Sequence, residues 1–232
     1  MSKYCFIRRG EGRDLVMLHG YLSSKESFAP QIEYFSKFYR VTAPDFPGMG
    51  GASPLDSPFS VDDYADWTEQ FLKEHGIENP LVIAHSFGGR VAIKLLARGR
   101  VERAVLTGCA GIVKKRTLRY KMKVRAYRIV KKIAPKYAQK HFGSPEYRSL
   151  PPVMRESYKK IVNEDLREEA KTIARPVLFV CGSEDRETPL SSAEIYHACV
   201  KNSRLIVMER CGHFAHIENP LAFNAAAEEF FS

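Results

Sequence analysis

Leu81-Val82-Ile83-Ala84-His85-Ser86-Phe87-Gly88-Gly89 runs from an apolar stretch through a polar corner to two glycines. Arg90-Val91-Ala92-Ile93-Lys94-Leu95-Leu96-Ala97 then follows with helical spacing. The order strand, tight turn, helix places Ser86 on a sharp corner. Such a corner needs nearly side-chain-free positions two before and two after the serine, here Ala84 and Gly88. The serine Oγ then stands clear of the turn. The Phe87 N–H opens the helix, where an unpaired amide can face a developing oxyanion. The stretch predicts acyl transfer through a serine nucleophile.

Apolar runs with turn residues behind them recur on both sides of this corner. Tyr4-Cys5-Phe6-Ile7, Leu15-Val16-Met17-Leu18, Arg40-Val41-Thr42-Ala43-Pro44, Val101 to Thr107, Val177-Leu178-Phe179-Val180 and Leu205-Ile206-Val207-Met208 read as strands. Phe28 to Phe38 carries helical spacing, and Ser60-Val61-Asp62-Asp63 supplies an N-cap and acidic first turn for a helix reaching about His75. Strands that are apolar throughout and alternate with helices imply an α/β fold, with a mostly parallel sheet covered by helices on both faces.

The alternation stops between Ile112 and Ile173. Leu118, Met122, Ala126, Ile129, Ile133 and Tyr137 recur at steps of three or four, and Met154, Tyr158 and Ile161 mark a second helix. Residues 113–172 therefore read as a helical lid, or cap, inserted into a core domain made of 1–112 and 173–232. The net charge of +9 belongs to this insertion. Residues 113–145 hold twelve Lys or Arg and no acid, and the remaining 24 basic residues against 27 acidic ones leave −3. A solvated helix face is the plain reading of such a run. An acidic partner or an anionic substrate docking on the basic lid is the sharper one. No nucleic-acid-binding motif accompanies the charge, so nucleic acid is not expected.

No run approaches the roughly 18 continuous apolar residues of a transmembrane segment, and Met1 to Gly10 lacks the apolar centre of a signal peptide. Five cysteines, odd in number and without paired or metal-type spacing, predict a reduced, cytoplasmic protein with no bound metal.

Open parallel sheets gather ligands at the carboxyl ends of their strands. His19-Gly20-Tyr21 leaves one such end, and the Tyr21 N–H is a candidate second oxyanion donor. Ser86 leaves the next, Gly182-Ser183-Glu184-Asp185-Arg186-Glu187-Thr188-Pro189 another, and Cys211-Gly212-His213-Phe214-Ala215-His216 the last. A serine hydroxyl needs a histidine base, and the base needs a carboxylate to hold its tautomer. The chain supplies these in the order Ser, Asp, His.

With those loops in register, the sequence resembles the α/β-hydrolase family, in its single-domain esterase and haloperoxidase-like branch. His19-Gly20, Asp45-Phe46-Pro47-Gly48-Met49-Gly50, Ala84 to Gly89, Gly182 through Asp185 to Pro189, and Gly212-His213-Phe214 with Pro220 carry the resemblance. It covers everything but the lid. It implies Ser86 as nucleophile, His213 as base, Asp185 as acid, and the Tyr21 and Phe87 amides as oxyanion hole, with no cofactor. The chain departs from the family pattern at Ala84, where glycine is usual, and in the extra antiparallel strand before the first, which is absent or very short. Glu184 competes with Asp185, but the spacing from Gly182 and to Pro189 favours Asp185. His216 competes with His213 and ranks behind it. His85 reads as packing or a lid contact, and His19 and Asp45 as holders of their turns.

The expected reaction is hydrolysis of a small-molecule acyl ester through an acyl-enzyme. The alternatives are hydrolysis of a carbon–carbon bond in a ring-cleavage product, an esterase acting on an acyl group held by an acidic carrier protein, and a non-catalytic ligand-binding member. Serine at the elbow argues against the dehalogenase and epoxide-hydrolase relatives, which carry aspartate there.

Overall fold

The computed structural model of the chain describes residues 4–113, 122, 125, 147 and 149–232. Seven strands form one sheet: β1 (Phe6–Arg9), β2 (Asp14–Leu18), β3 (Arg40–Pro44), β4 (Leu81–His85), β5 (Arg103–Thr107), β6 (Val177–Gly182) and β7 (Ser203–Met208). Their spatial order is β1-β3-β2-β4-β5-β6-β7. All neighbours pair in parallel except β1, which runs antiparallel to β3 at the sheet edge. The first strand begins two residues later than the sequence suggested. Tyr4 is buried because its ring packs edge-on against Trp67 and Phe71, not because it lies in the sheet.

Side-chain alternation divides the core into two layers, as a sheet covered on both faces requires. Val16, Leu18, Val82, Ala84, Ala104, Leu106, Val177 and Phe179 point into one layer. There they meet α2 (Val61–Glu74) and α3 (Phe87–Ala97). Leu15, Met17, Leu81, Ile83, Val105, Leu178 and Val180 point into the other, against α1 (Ala29–Phe35) and residues of the C-terminal helices. A capping box fixes the start of α2: Ser60 Oγ accepts from the Asp63 N–H, and the Asp63 carboxylate accepts from the Ser60 N–H. The helix expected over Phe28 to Phe38 is shorter, a 3-10 turn (Lys25–Phe28) running into α1.

Between β5 and β6, the described residues contain α4 (Pro152–Asn163) and α5 (Arg167–Thr172). The second helix expected in the insertion is therefore present as α4. The helix expected at 118–137 lies outside the described residues, apart from Met122 and Arg125, which are helical. Contacts place α4 across the loops that leave β2 and β3. Ser157 Oγ accepts from the Phe59 N–H at 2.9 Å, and Lys160 Nζ donates to the Pro58 carbonyl at 2.7 Å. Gly48, with φ +78°, lies under Met154: a Cβ there would sit 2.7 Å from the Met154 Sδ. From below, Arg90 on α3 donates to the carbonyls of Ile161 and Glu164 at 2.7 and 2.9 Å, at the C-terminal end of α4. Lys94, one turn on, meets Glu164, Glu169 and Asp62 at 2.7, 2.8 and 3.2 Å. The remaining helices are α6 (Leu190–Cys199), α7 (Ala215–Glu218) and α8 (Pro220–Phe231).

Candidate active site

Ser86 joins β4 to α3 with φ 51° and ψ −107°, a left-handed conformation that costs a non-glycine residue about 1–3 kcal/mol. The surrounding backbone holds it there. The Ser86 N–H donates to the Thr107 carbonyl at 3.0 Å, and its carbonyl accepts from the Gly89 and Ala110 N–H groups at 3.1 and 3.2 Å. Gly88 is obligatory, because a Cβ would collide with the Leu18 carbonyl of β2. Small side chains on each flank thus let the strand and helix close on the turn, and Ser86 is left half-buried while its neighbours are buried.

The turn after β2 lies directly against this elbow. A Cβ on Gly20 would come 3.0 Å from His85 Nδ1 and 3.7 Å from Ser86 Cβ. His19, fully buried, sets the turn. Its Nε2 accepts from the Phe46 N–H at 3.0 Å, so its Nδ1 carries the proton donated to the Gly20 carbonyl at 2.7 Å. Burial lowers the His19 pKa and keeps the ring neutral, as that pattern requires. The Tyr21 and Phe87 N–H groups donate to no carbonyl among the described residues.

The loops after β6 and β7 bring Asp185 and His213 together, with His213 Nδ1 2.8 Å from Asp185 Oδ2. The other carboxylate oxygen, Oδ1, accepts the Glu187 and Thr188 N–H groups at 2.9 Å each, and Thr188 Oγ1 donates to Oδ2 at 2.7 Å. Burial alone would raise the Asp185 pKa. The hydrogen bonds from His213 and Thr188 outweigh it and hold the carboxyl below its ordinary range. Asp185 is buried and Glu184 exposed, with no contact between Glu184 and His213. Gly108 clears room for His213, since a Cβ there would sit 3.1 Å from His213 Nδ1 and Cε1.

Two further imidazoles continue from His213. His85 lies 4.7 Å, centroid to centroid, from both His213 and His216. His85 Nε2 is 3.0 Å from the His213 carbonyl, which can only accept, so this nitrogen is the protonated one. Burial drives the His85 pKa well below its usual value and that of His216 down to about 4. His216 is fully buried, and it is His213 that is hydrogen-bonded to Asp185. Among the described residues, no group of three or more His, Cys, Asp and Glu is placed to hold a metal.

Sequence reasoning placed Ser86, Asp185, His213, Tyr21 and Phe87 on adjoining loops, where the structure has them. It missed Thr188, which bridges Asp185 and His213, and Glu187, whose carboxylate lies 3.5 Å from His213 Nε2. It also missed the buried cations Arg90 and Lys94 under α4. Asp45 holds its turn as expected, accepting from the Lys25 and Gly51 N–H groups and pairing with Lys25 Nζ at 2.7 Å.

A seven-stranded, mostly parallel sheet with a serine elbow and an Asp–His pair at its strand ends defines the fold class of the α/β hydrolases. The chain belongs to the α/β-hydrolase family, whose pattern it matches over residues 15–226. It is 26% identical over 245 residues to a pimeloyl-[acyl-carrier protein] methyl ester esterase of Nitrosomonas europaea, covering 92% of this chain and 94% of that one. A shorter stretch of 86 residues is 34% identical to an (E)-2-((N-methylformamido)methylene)succinate hydrolase of Acinetobacter baylyi. That match spans 37% of this chain and only 33% of the relative's length. Among solved structures, a meta-cleavage product hydrolase of Pseudomonas fluorescens IP01 superposes with a TM-score of 0.76 at 25% identity, covering 98% of this chain and 93% of the other. Family and relatives together support a hydrolase.

Proposed function

We propose that this chain is a serine hydrolase that cleaves a carboxylic ester of a small or medium acyl group through an acyl-enzyme. The observation that carries the reading is the left-handed Ser86 elbow beside a buried Asp185 hydrogen-bonded to His213. Ser86 Oγ attacks the ester carbonyl as His213 Nε2 takes its proton. Asp185, held as a carboxylate, accepts from His213 Nδ1–H, fixes the tautomer and stabilises the imidazolium. The Tyr21 and Phe87 N–H groups receive the tetrahedral oxyanion. The imidazolium then protonates the leaving alkoxide, and water activated by the same nitrogen releases the acid. Ser86 and His213 share no hydrogen bond in this structure, and such bonds often tighten only around substrate.

Residues 113–172 act as a lid over this site, with α4 as its seated part, and the core is formed by 1–112 and 173–232. The cationic run at 113–145 suits an anionic or carrier-held acyl group, and the full-length likeness to an esterase of a carrier-bound ester points the same way. Five free cysteines fit a reducing cytoplasm. Among the described residues, no helix is long and apolar enough to cross a membrane. The meta-cleavage product hydrolase neighbour favours a second reading, carbon–carbon bond hydrolysis at the same serine.

A panel of p-nitrophenyl esters of graded acyl length, run beside a vinylogous 1,5-diketone, separates the two. Ester turnover that disappears in Ser86→Ala supports the esterase. Turnover of the diketone alone establishes the second reading, and activity on both substrates that survives Ser86→Ala overturns the serine mechanism altogether.

A further inference from the structure

Tyr21 touches two parts of the molecule at once. Its N–H belongs to the peptide whose carbonyl, that of Gly20, is held by His19 Nδ1–H at 2.7 Å. A trans peptide points its C=O and N–H in opposite directions, so fixing the carbonyl aims the amide. The side chain leaves the turn on another course and is taken up by α4. Its hydroxyl donates to the Met154 carbonyl at 3.1 Å, and its ring lies 5.5 Å from that of Tyr158, one turn further along the same helix. The same ring meets Phe87 edge-on at 5.4 Å, and Phe87 carries the other amide that faces the site.

Both ends of this contact are firmly seated. Phe87 is enclosed by Phe46 and Tyr64 as well as Tyr21, with ring centroids at 5.3 and 4.9 Å. Met154 is buried, and the absence of a side chain at Gly48 lets its Sδ approach the loop after β3. Close packing of this kind gives α4 one well-defined seat, since packed interfaces do not deform continuously. Burial pushes the Tyr21 phenol pKa up, so the hydroxyl remains a donor at any working pH.

We propose that Tyr21 is a positioning residue that couples the seat of α4 to the oxyanion hole, so that docking of the inserted helix over the ends of β2 and β3 sets the aim of the Tyr21 amide. The inference rests on the serine-hydrolase reading and on Tyr21 and Phe87 as its oxyanion donors. It makes the insertion part of the catalytic geometry rather than only a cover that shapes the pocket.

The test uses the full-length protein, p-nitrophenyl butyrate as substrate and an alkyl trifluoromethyl ketone as inhibitor, because the ketone adds to the serine and loads the oxyanion hole. Rates are expressed per site titrated to completion with a fluorophosphonate, which removes any loss of folded protein. Removing an oxyanion donor outright costs about 10²–10³ in kcat, so loosening one in Tyr21→Phe should cost about 10-fold. KM should stay within about 2-fold, and the ketone Ki should rise by the same factor as kcat falls, since only the oxyanion state is affected. Tyr158→Leu, which loosens the contact from the side of α4, should show the same split at a smaller size. Tyr34→Phe removes a comparable hydroxyl bond, to Glu228 at 2.6 Å on the far face, and should change neither constant. Wild-type kcat and Ki in both Tyr21→Phe and Tyr158→Leu, or a rise confined to KM, overturns the coupling while leaving the serine mechanism intact. Activity retained in Ser86→Ala takes down both.

Discussion

The Ser86 elbow and the inserted helix α4 lie on adjoining sides of one site and are held there by opposite means. The elbow is fixed by backbone. Main-chain hydrogen bonds enclose Ser86, and bare glycines let α3 close on β2. The seat of α4 is fixed by side chains that reach it from elsewhere: Tyr21 from the turn after β2, and Arg90 and Lys94 from α3. Backbone geometry admits almost no substitution without a clash. A seat made of several side-chain contacts can lose one and persist, with a graded cost. The molecule therefore combines a rigid serine turn with a helix whose position can be tuned by point substitution.

That contrast breaks first, if it breaks, at the acid. Asp185→Asn keeps the shape but presents the wrong partner to His213 Nδ1–H, and kcat should fall by up to about 10⁴-fold. Glu184→Gln, on the exposed neighbour, should leave kcat within about 2-fold, as befits a surface charge away from the reacting atoms. Steady-state kinetics on one ester decides between the two carboxylates.

Gly88→Ala sharpens the backbone side. The added methyl meets the Leu18 carbonyl, which cannot move without shifting β2. Overpacking costs about 1–3 kcal/mol where neighbours give way, and here the loss should reach the top of that range or exceed it. Urea unfolding should show it as a lower midpoint, and a wild-type midpoint would mean the elbow is looser than described.

Arg90→Met probes the side-chain seat. It keeps most of the buried volume but removes the charged donor from the Glu164 carbonyl and leaves the Ile161 carbonyl only its 3.3 Å bond from the Glu164 N–H, at about 1–3 kcal/mol for an acceptor that goes unpaired. Thermal unfolding should show a loss smaller than that of Gly88→Ala, with protease cleavage rising first around α4. Uniform destabilisation with no change at α4 would remove Arg90 as its anchor.

Glu187→Gln should give the smallest effect. Its carboxylate is 3.5 Å from His213 Nε2 but 71% exposed, and exposed pairs are worth about 0.2–1 kcal/mol. A change in kcat beyond about 5-fold would make Glu187 part of the machinery and not a neighbour of it.

The same division explains what could be read from the sequence. The elbow was legible because its signal is local: a strand, a corner and small residues within nine positions. The Ser60 N-cap and acidic first turn of α2 were legible for the same reason, and the structure adds the reciprocal Asp63 bond of a capping box. The spacing from Gly182 and to Pro189 favoured Asp185 over Glu184, and it is Asp185 that lies against His213. The contacts that seat α4 pair Tyr21 with Met154 and Arg90 with Ile161, 133 and 71 residues apart, and no short pattern encodes such partners. Arg90 and Lys94 lie in a stretch that reads only as a helix, yet both are buried, because the carbonyls and carboxylates they serve arrive from residues 161–169. Tyr4 read as a strand residue because buried aromatic side chains look alike in sequence, whether a sheet or a helix buries them.

The central claim is that Ser86 is the activated nucleophile, and covalent labelling tests it most directly. Treatment with a fluorophosphonate followed by peptide mass spectrometry should place one adduct on the Ser86 peptide, and none on Ser86→Ala. Labelling should slow by orders of magnitude in Asp185→Asn, since triad members act as a unit. An unlabelled wild-type protein, or an adduct on another residue that persists in Ser86→Ala, would contradict the account.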